Sequence, residues 1–371
     1  MHTRVIVRLR LGLFNYQKVT IMHQIRFNPC QRWLNKVVLV VCLFYVVACS
    51  SNTTSTPTSI NTRSGNSVTA SGMQLPGEQI WKQGVSSFLF GTNDTQEWTL
   101  NNVETSTAIQ QSLKTAHLTL MRTFFFDKSL ADGHDTTDTE IEQRLTTIEN
   151  SGMTCLGVLD NIYNAAFNEH VVTYAGNRCL LYEFGNETSF SNITSQTYLK
   201  QWNTVIPILR RINPKAKFIG PTDGVNQFLQ EYLTGVKASG ILPDAVSFHW
   251  YPCWQNTRSD CLNKASSVAD EVQQVRSWIQ STIGKDLPIG ITEWNYDPSN
   301  PPPSYGDDPQ FITQFTTNAL QAMIQSGVVF ACQFDAASYS GYGRLDMFDV
   351  NTNQPKPQYN AIVSIINQYR P

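Results

Sequence analysis

Leu180-Leu181-Tyr182-Glu183-Phe184-Gly185-Asn186-Glu187 is a mostly apolar run that closes on a glutamate. Its hydrophobicity is nearly continuous rather than alternating, the pattern of a parallel strand covered on both faces. Later in the chain, Ile289-Gly290-Ile291-Thr292-Glu293-Trp294 repeats the theme. A carboxylate at the end of a buried strand is costly to desolvate unless something uses it. Glu183, inside the first run, reads as a supporting residue that lies deeper than Glu187 or points away from it.

Short apolar or β-branched runs recur on either side of these two. They cover 84–91, 118–127, 154–160, 180–187, 218–223, 245–252, 288–294 and 328–335. Amphipathic helical patterns lie between them, over 139–151, 197–212, 265–283 and 309–326, and a last one over 357–369 closes the set. In 197–212, for instance, Tyr198, Trp202, Val205, Ile206, Leu209 and Ile212 fall on one helical face. Strands alternating with helices imply a parallel sheet. Eight such units in one stretch of chain imply an α/β fold of the (β/α)8 TIM-barrel type, built as a single domain.

The N-terminal part has a different character. From Met22, the better candidate for the true start, a basic stretch with Arg26, Arg32 and Lys36 precedes an apolar run over 37–48. That run is too short to span a bilayer, which takes ~20 residues, and it suits the core of a secretory signal. Val46-Val47-Ala48-Cys49 resembles a bacterial lipobox, with Cys49 as the lipid-attachment residue. Residues 1–49 are therefore expected to be a targeting segment and 50–78 a Ser/Thr-rich tether without the apolar content to fold. Residues 79–371 are expected to form the barrel. The protein is expected to be exported, as a cell-surface lipoprotein or in secreted form. In an oxidising compartment Cys253 and Cys261 are placed to form a disulfide, a second bridge between Cys155 and Cys179 is open, and Cys332 reads as a buried thiol.

The chain has 371 residues, a net charge of -2 and 15% charged residues, which offers nothing for nucleic acid to bind. Its 8 tryptophans, 14 tyrosines and 19 phenylalanines serve either a large core or the stacking of sugar faces. Active sites of such barrels lie at the C-terminal ends of the strands. Here those ends carry Arg122, Asp160, Asn161, Asn186, Glu187, Asp223, His249, Trp250, Tyr251, Glu293, Trp294 and Asp335. Glu187 ends the fourth strand and Glu293 the seventh, so the barrel sets them across one mouth. Paired carboxylates across a pocket are the working parts of glycoside hydrolysis.

Four segments in this order resemble the retaining clan A glycoside hydrolases, over the region from about 80 to 371. They are Asn186-Glu187 after an apolar strand, Ile291-Thr292-Glu293-Trp294, Ser247-Phe248-His249-Trp250-Tyr251, and Leu120-Met121-Arg122-Thr123-Phe124. The strand-six and strand-seven text is most similar to the branch holding β-xylosidases, arabinofuranosidases and glucuronidase-like enzymes. The resemblance implies Glu187 as acid/base and Glu293 as nucleophile. It implies that Asn186 bonds the sugar 2-hydroxyl, that Tyr251 positions Glu293 and that Arg122 keeps Glu293 charged. His249, Trp250 and Trp294 would contact substrate. Many clan members place a tryptophan at the end of strand eight, where this chain has Phe334-Asp335, so the sugar platform falls to Trp294, Trp250 or Trp254.

The expected partner is a carbohydrate, held by a monomer that reaches the membrane through its lipid. No metal or organic cofactor is implied, because the two-carboxylate mechanism uses neither. The competing reading is a surface lipoprotein that binds carbohydrate on a barrel scaffold without turnover.

Overall fold

The computed structural model describes residues 74–94, 102–127, 136–338 and 343–371. The targeting segment, Cys49 and the tether up to residue 73 lie outside the described residues. Within them, eight parallel strands close into a barrel in sequence order. They are β1 (Gly91–Asn93), β2 (Leu120–Phe125), β3 (Thr154–Leu159), β4 (Cys179–Phe184), β5 (Lys217–Asp223), β6 (Ala245–Trp250), β7 (Ile289–Trp294) and β8 (Phe330–Gln333). Strand β1 pairs with both β2 and β8, which shuts the ring. The fold is a (β/α)8 barrel. Among the described residues no helix is long and apolar enough to cross a membrane.

Helices α1 (Asn102–Thr105), α2 (Thr107–Ala116), α3 (Asp138–Asn150), α4 (Ala165–Ala175), α5 (Ser195–Ile212) and α6 (Gln227–Ser239) surround the first half of the ring. Helices α7 (Arg258–Lys264), α8 (Val268–Ile283), α9 (Pro309–Ser326) and α10 (Pro357–Tyr369) complete it. Side-chain caps start most of them. Thr137 and Glu140 form a reciprocal capping box on α3, and Asn164, Thr194 and Asn226 cap α4, α5 and α6. Helices α1, α2, α4 and α6 are additions to the sequence reading. The expected helix over 265–283 begins at Val268, after the separate turn of α7.

Two apolar layers follow. The inner one fills the barrel with Leu120, Leu156, Leu181, Ile219, Ala245, Val329, Phe330 and Cys332. Gly290 belongs to this layer by necessity, since a Cβ there would sit 2.0 Å from the Phe330 ring. The outer layer lies between the ring and the helices, where Tyr232 packs edge to face against both Tyr198 and Trp202.

The start of the domain corrects two expectations. The run over 84–91 is not a strand. It folds as two single helical turns, Lys82–Gly84 and Ser87–Leu89, and the strand begins only at Gly91. The Ser86 side chain accepts from the Phe88 N–H at 3.2 Å, and Phe88 joins the barrel-filling layer. Apolarity here marks a plug, not a stave. Leu75 is buried in the same layer, so ordered structure starts before the expected boundary at 79.

Cys155 and Cys179 are joined by a disulfide, as are Cys253 and Cys261, and Cys332 is a buried free thiol. The first bridge links register partners on β3 and β4. The second closes the loop after β6.

Candidate active site

The site is organised by one cation in the middle of the barrel. Arg122, on β2, is 0% exposed. Its Nε donates to Glu183 at 2.6 Å and its Nη1 to Glu293 at 2.7 Å and Asn93 at 2.9 Å. Its Nη2 donates to Asn186 Oδ1 at 2.7 Å. One guanidinium thus ties β1, β2, β7, β4 and the turn after β4 together. The planar fork of arginine suits this and the point charge of lysine does not.

Glu183 is fully buried and also accepts from Ser247 Oγ at 2.6 Å. Burial works to raise its pKa, but Arg122, His249 and the two hydrogen bonds outweigh it and hold the carboxyl below its ordinary value. Its place below the mouth agrees with the supporting role read from the sequence.

Backbone geometry carries Glu187 to the mouth. Gly185 takes φ +79°, and a Cβ there would lie 2.9 Å from the Thr188 side chain. Glu187 itself takes φ +45°, a left-handed conformation that side chains other than glycine's rarely adopt. Its N–H donates to Thr222 O at 2.9 Å, and Thr222 is left-handed too, at φ +57°. Asp223 pins the same turn by accepting from the Ser189 N–H and hydroxyl at 2.9 and 2.7 Å. Such over-determined strain clusters at functional sites.

Glu293 arrives from β7, where its register partner is His249 on β6. The Tyr251 hydroxyl donates to Glu293 Oε2 at 3.0 Å. Burial, reinforced by Glu293 and Glu187, raises the Tyr251 pKa far above its usual value, so the phenol stays a donor. His249 Nδ1 lies 2.8 Å from Glu187 Oε1 and 3.6 Å from Glu293 Oε2. Burial alone would lower the His249 pKa, but Glu293 and the hydrogen bond to Glu187 raise it. Burial opposes the charge on Glu187, yet the His249 hydrogen bond and charge bring its pKa down. A histidine thus stands within hydrogen-bond reach of Glu187 and close to Glu293, and it favours the charged form of Glu187.

One oxygen each of Glu187 and Glu293 and one nitrogen of His249 all lie within 4.8 Å of one another. This spacing would also suit a divalent cation, although all three groups already have protein partners. The Glu187 side chain is 36% exposed, whereas Glu293 is nearly enclosed. One carboxylate thus faces incoming molecules and the other sits beneath, aligned by Arg122 and Tyr251.

A family model described as "Glycosyl hydrolases family 39" matches residues 180–368, which include β4 to β8, Glu187 and Glu293. The chain belongs to glycosyl hydrolases family 39. Solved structures agree on the fold. A glucosidase from Croceicoccus marinus superposes with a TM-score of 0.56 at 18% identity, over 74% of this chain and 66% of that one. A monomeric beta-xylosidase from Caulobacter crescentus CB15 gives 0.58 at 16%, over 75% and 68%. An alpha-L-arabinofuranosidase from Thermotoga maritima gives 0.58 at 12%, over 78% and 71%. This chain spans about two thirds of the length of these structures. No curated protein sequence matches the chain.

In this family 39 barrel, two expected substrate contacts are displaced. Trp250 and Trp294 are 2% and 1% exposed and belong to the outer apolar layer. Trp250 stacks on Phe315 of α9, with centroids 5.9 Å apart. The cause is strand parity, because successive side chains point to opposite faces. His249 and Glu293 face the barrel, so the tryptophan after each faces the helices. Trp254 remains exposed, in the loop after β6.

Three groups escaped the sequence reading. Asn93 accepts from Arg122, but β1 had been misplaced. Ser247 supports Glu183 from inside a strand. Asp346 meets Asp335 beyond the end of β8. Both these carboxyls are buried, and each feels the other electrostatically. Burial lifts Asp346 to about 7, and burial with the Asp346 charge lifts Asp335 well above its ordinary value. At the end of β3, burial similarly lifts Asp160 to about 6, against the pull of Arg122.

The Asp335–Asp346 pair has a consequence for stability. Carboxyls whose pKa is raised on folding stabilise the fold fully below their unfolded pKa, and that contribution is lost as pH rises through the folded value. For Asp346 the window runs from about 4 to about 7. Asp346→Asn removes this titration and supplies a permanent N–H donor. Its melting temperature relative to the parent is expected to rise by on the order of 5 °C between pH 4 and pH 8. A difference that stays flat across that range would show that the Asp346 carboxyl is not raised on folding.

Proposed function

We propose that this chain is a retaining O-glycoside hydrolase that acts on oligo- or polysaccharides by double displacement. The observation that carries the reading is the separation within 4.8 Å of oxygens on Glu187 and Glu293. Retaining enzymes hold their carboxyls ~5–5.5 Å apart, whereas inverting ones need ~6.5–9.5 Å to admit water between them.

In this scheme Glu293 attacks the anomeric carbon and forms a glycosyl ester while the leaving oxygen takes a proton from Glu187. Water then attacks the ester, gives its proton to Glu187 and frees Glu293, with the anomeric configuration retained. Arg122 and Tyr251 each occupy one Glu293 oxygen and so fix its orientation. Asn186 spends its Oδ1 on Arg122, which leaves its amide N–H free for the sugar 2-hydroxyl. A sugar seated over Glu187 displaces water from an exposed carboxylate and makes its charge costlier. His249 Nδ1, 2.8 Å from Glu187 Oε1, is placed to exchange a proton with it as the surroundings dry out.

A 2-deoxy-2-fluoro glycoside bearing a good leaving group should trap an ester on Glu293, read by peptide mass spectrometry. Labelling elsewhere, or none over a broad set of sugars, would overturn the assignment. Glu187→Ala should lose about 10²–10⁴-fold on natural linkages. It should lose far less on aryl glycosides whose leaving groups need no proton, and equal losses on both would remove Glu187 from the acid role.

We also propose that the protein is exported and lipid-anchored through Cys49, and works as a single chain. The signal-like segment and lipobox support the first point, and the two disulfides fit an oxidising compartment. Palmitate incorporation in a bacterial host should vanish in Cys49→Ser; unlipidated wild-type protein would refute the anchor.

A further inference from the structure

The loops after β6 and β7, on the face of the barrel where the strands end, line an open cavity of about 730 Å3. Gln255 and Arg258 line it from the first loop, and Pro301, Pro303, Tyr305 and Asp308 from the second. The two loops are fastened to each other around it. The Cys253 N–H donates to Tyr296 O at 3.0 Å and the Gln255 N–H to Asp297 Oδ2 at 3.1 Å. The Tyr305 hydroxyl donates to Asn256 O at 2.8 Å. Arg258 Nε lies 3.3 Å from Asp308 Oδ2, and the Cys253–Cys261 disulfide closes the base of the first loop. Gln255 is held at φ +51°, left-handed without being glycine. These ties hold the cavity open and rigid, which lowers the ordering cost of filling it.

Next in the chain to the lining residue Gln255 stands Trp254, 60% exposed while Trp250 and Trp294 are buried. Trp254 follows Tyr251 by three residues, so the chain places it within about 11 Å of the tyrosine that holds Glu293. An apolar proline wall, two aromatic rings, and amide, hydroxyl and guanidinium groups together match a molecule with apolar faces and hydroxyl edges. Arg258 and Asp308 neutralise each other, so the site favours an uncharged ligand.

We propose that this cavity is a distal subsite for a neutral glycan chain whose terminal bond is held between Glu187 and Glu293. The inference rests on the glycosidase reading and deepens it: the substrate is an oligosaccharide longer than a disaccharide, gripped beyond the cleavage point. Trp254 stacks on a sugar ring at the entrance and the loop polar groups bond its hydroxyls.

The test titrates Glu293→Gln protein with xylo- and cello-oligosaccharides from dimer to hexamer by calorimetry. For at least one series the affinity should climb by about tenfold or more with length. Adding Trp254→Ala or Arg258→Gln should erase that climb. Both side chains lie at the surface, and circular dichroism checks that each variant folds. Length-independent affinity, a climb that survives both substitutions, or no binding by either series overturns the subsite. Fluoroglycoside labelling of Glu293 is read separately, so a working active site without a distal subsite is recognised as such.

Discussion

Glu293→Gln is expected to lower kcat by on the order of 10⁵-fold, roughly 7 kcal/mol of transition-state stabilisation. The substitution keeps the shape of the site. A glutamine oxygen can still accept from Arg122 Nη1, now 2.7 Å from Glu293, and its amide can meet the Tyr251 hydroxyl. What vanishes is the electron pair that forms the glycosyl ester, so binding should survive while turnover does not. Burst kinetics with an activated aryl glycoside, read beside substrate affinity, separate the two. Retention of more than about one part in a hundred of wild-type turnover would take the nucleophile role away from Glu293. The competing view of the barrel as a sugar-binding protein predicts no difference between parent and variant in any assay.

Arg122→Met is expected to have the largest effect on stability. The guanidinium is the shared partner of Glu183 and Glu293, both buried. Breaking a buried ion pair from one side costs about 3–5 kcal/mol, because the remaining charge is stranded. That corresponds to a melting temperature lower by about 10 °C or more at neutral pH. The pH dependence distinguishes this cause from simple misfit. In the parent, Glu183 has a depressed pKa, so its contribution is present above the unfolded value and is lost as pH falls through the folded one. Without Arg122, burial is opposed only by His249 and Ser247, and the Glu183 pKa rises. The variant should therefore approach the parent as pH drops toward about 4, where an unfolded glutamate takes up its proton. A deficit independent of pH would mean that lost packing, not stranded charge, is responsible. Activity should fall as well, since Asn186 and Glu293 lose their common anchor.

Much of this was legible in the chain because burial on both faces writes a plain signal. Strands β2 to β7 fall within two or so residues of their apolar runs, while β8 occupies the middle of its run. The first unit failed because Val85, Phe88, Leu89 and Phe90 are apolar for another reason, namely filling the barrel and its outer layer through tight turns. Of the missed helices, α4 and α6 carried their capping asparagines in plain view but have less regular apolar stripes than α5, and α1 and α2 are short helices beside the misread first strand. At the site, the glutamates were found because a charge ending an apolar run is conspicuous. Trp250 and Trp294 were misassigned because proximity in sequence was allowed to outrank the two-residue period of a strand. Asn93, Ser247 and Asp346 are ordinary polar residues until the fold brings them beside Arg122, Glu183 and Asp335, and no local pattern announces a partner so distant along the chain. The cavity between the loops after β6 and β7 depends on how two irregular segments fasten to each other, which no periodicity encodes.

The four contacts of Arg122 also set a rule for how such a protein can change over generations. A residue answerable to several neighbours resists replacement one step at a time, since each partial change leaves somebody without a counterpart, and effects within such a network do not add. Innovation is then pushed outward, to the rim, where an exposed side chain such as Trp254 answers to few others. A lineage built this way keeps its chemistry while trying new menus of carbohydrate.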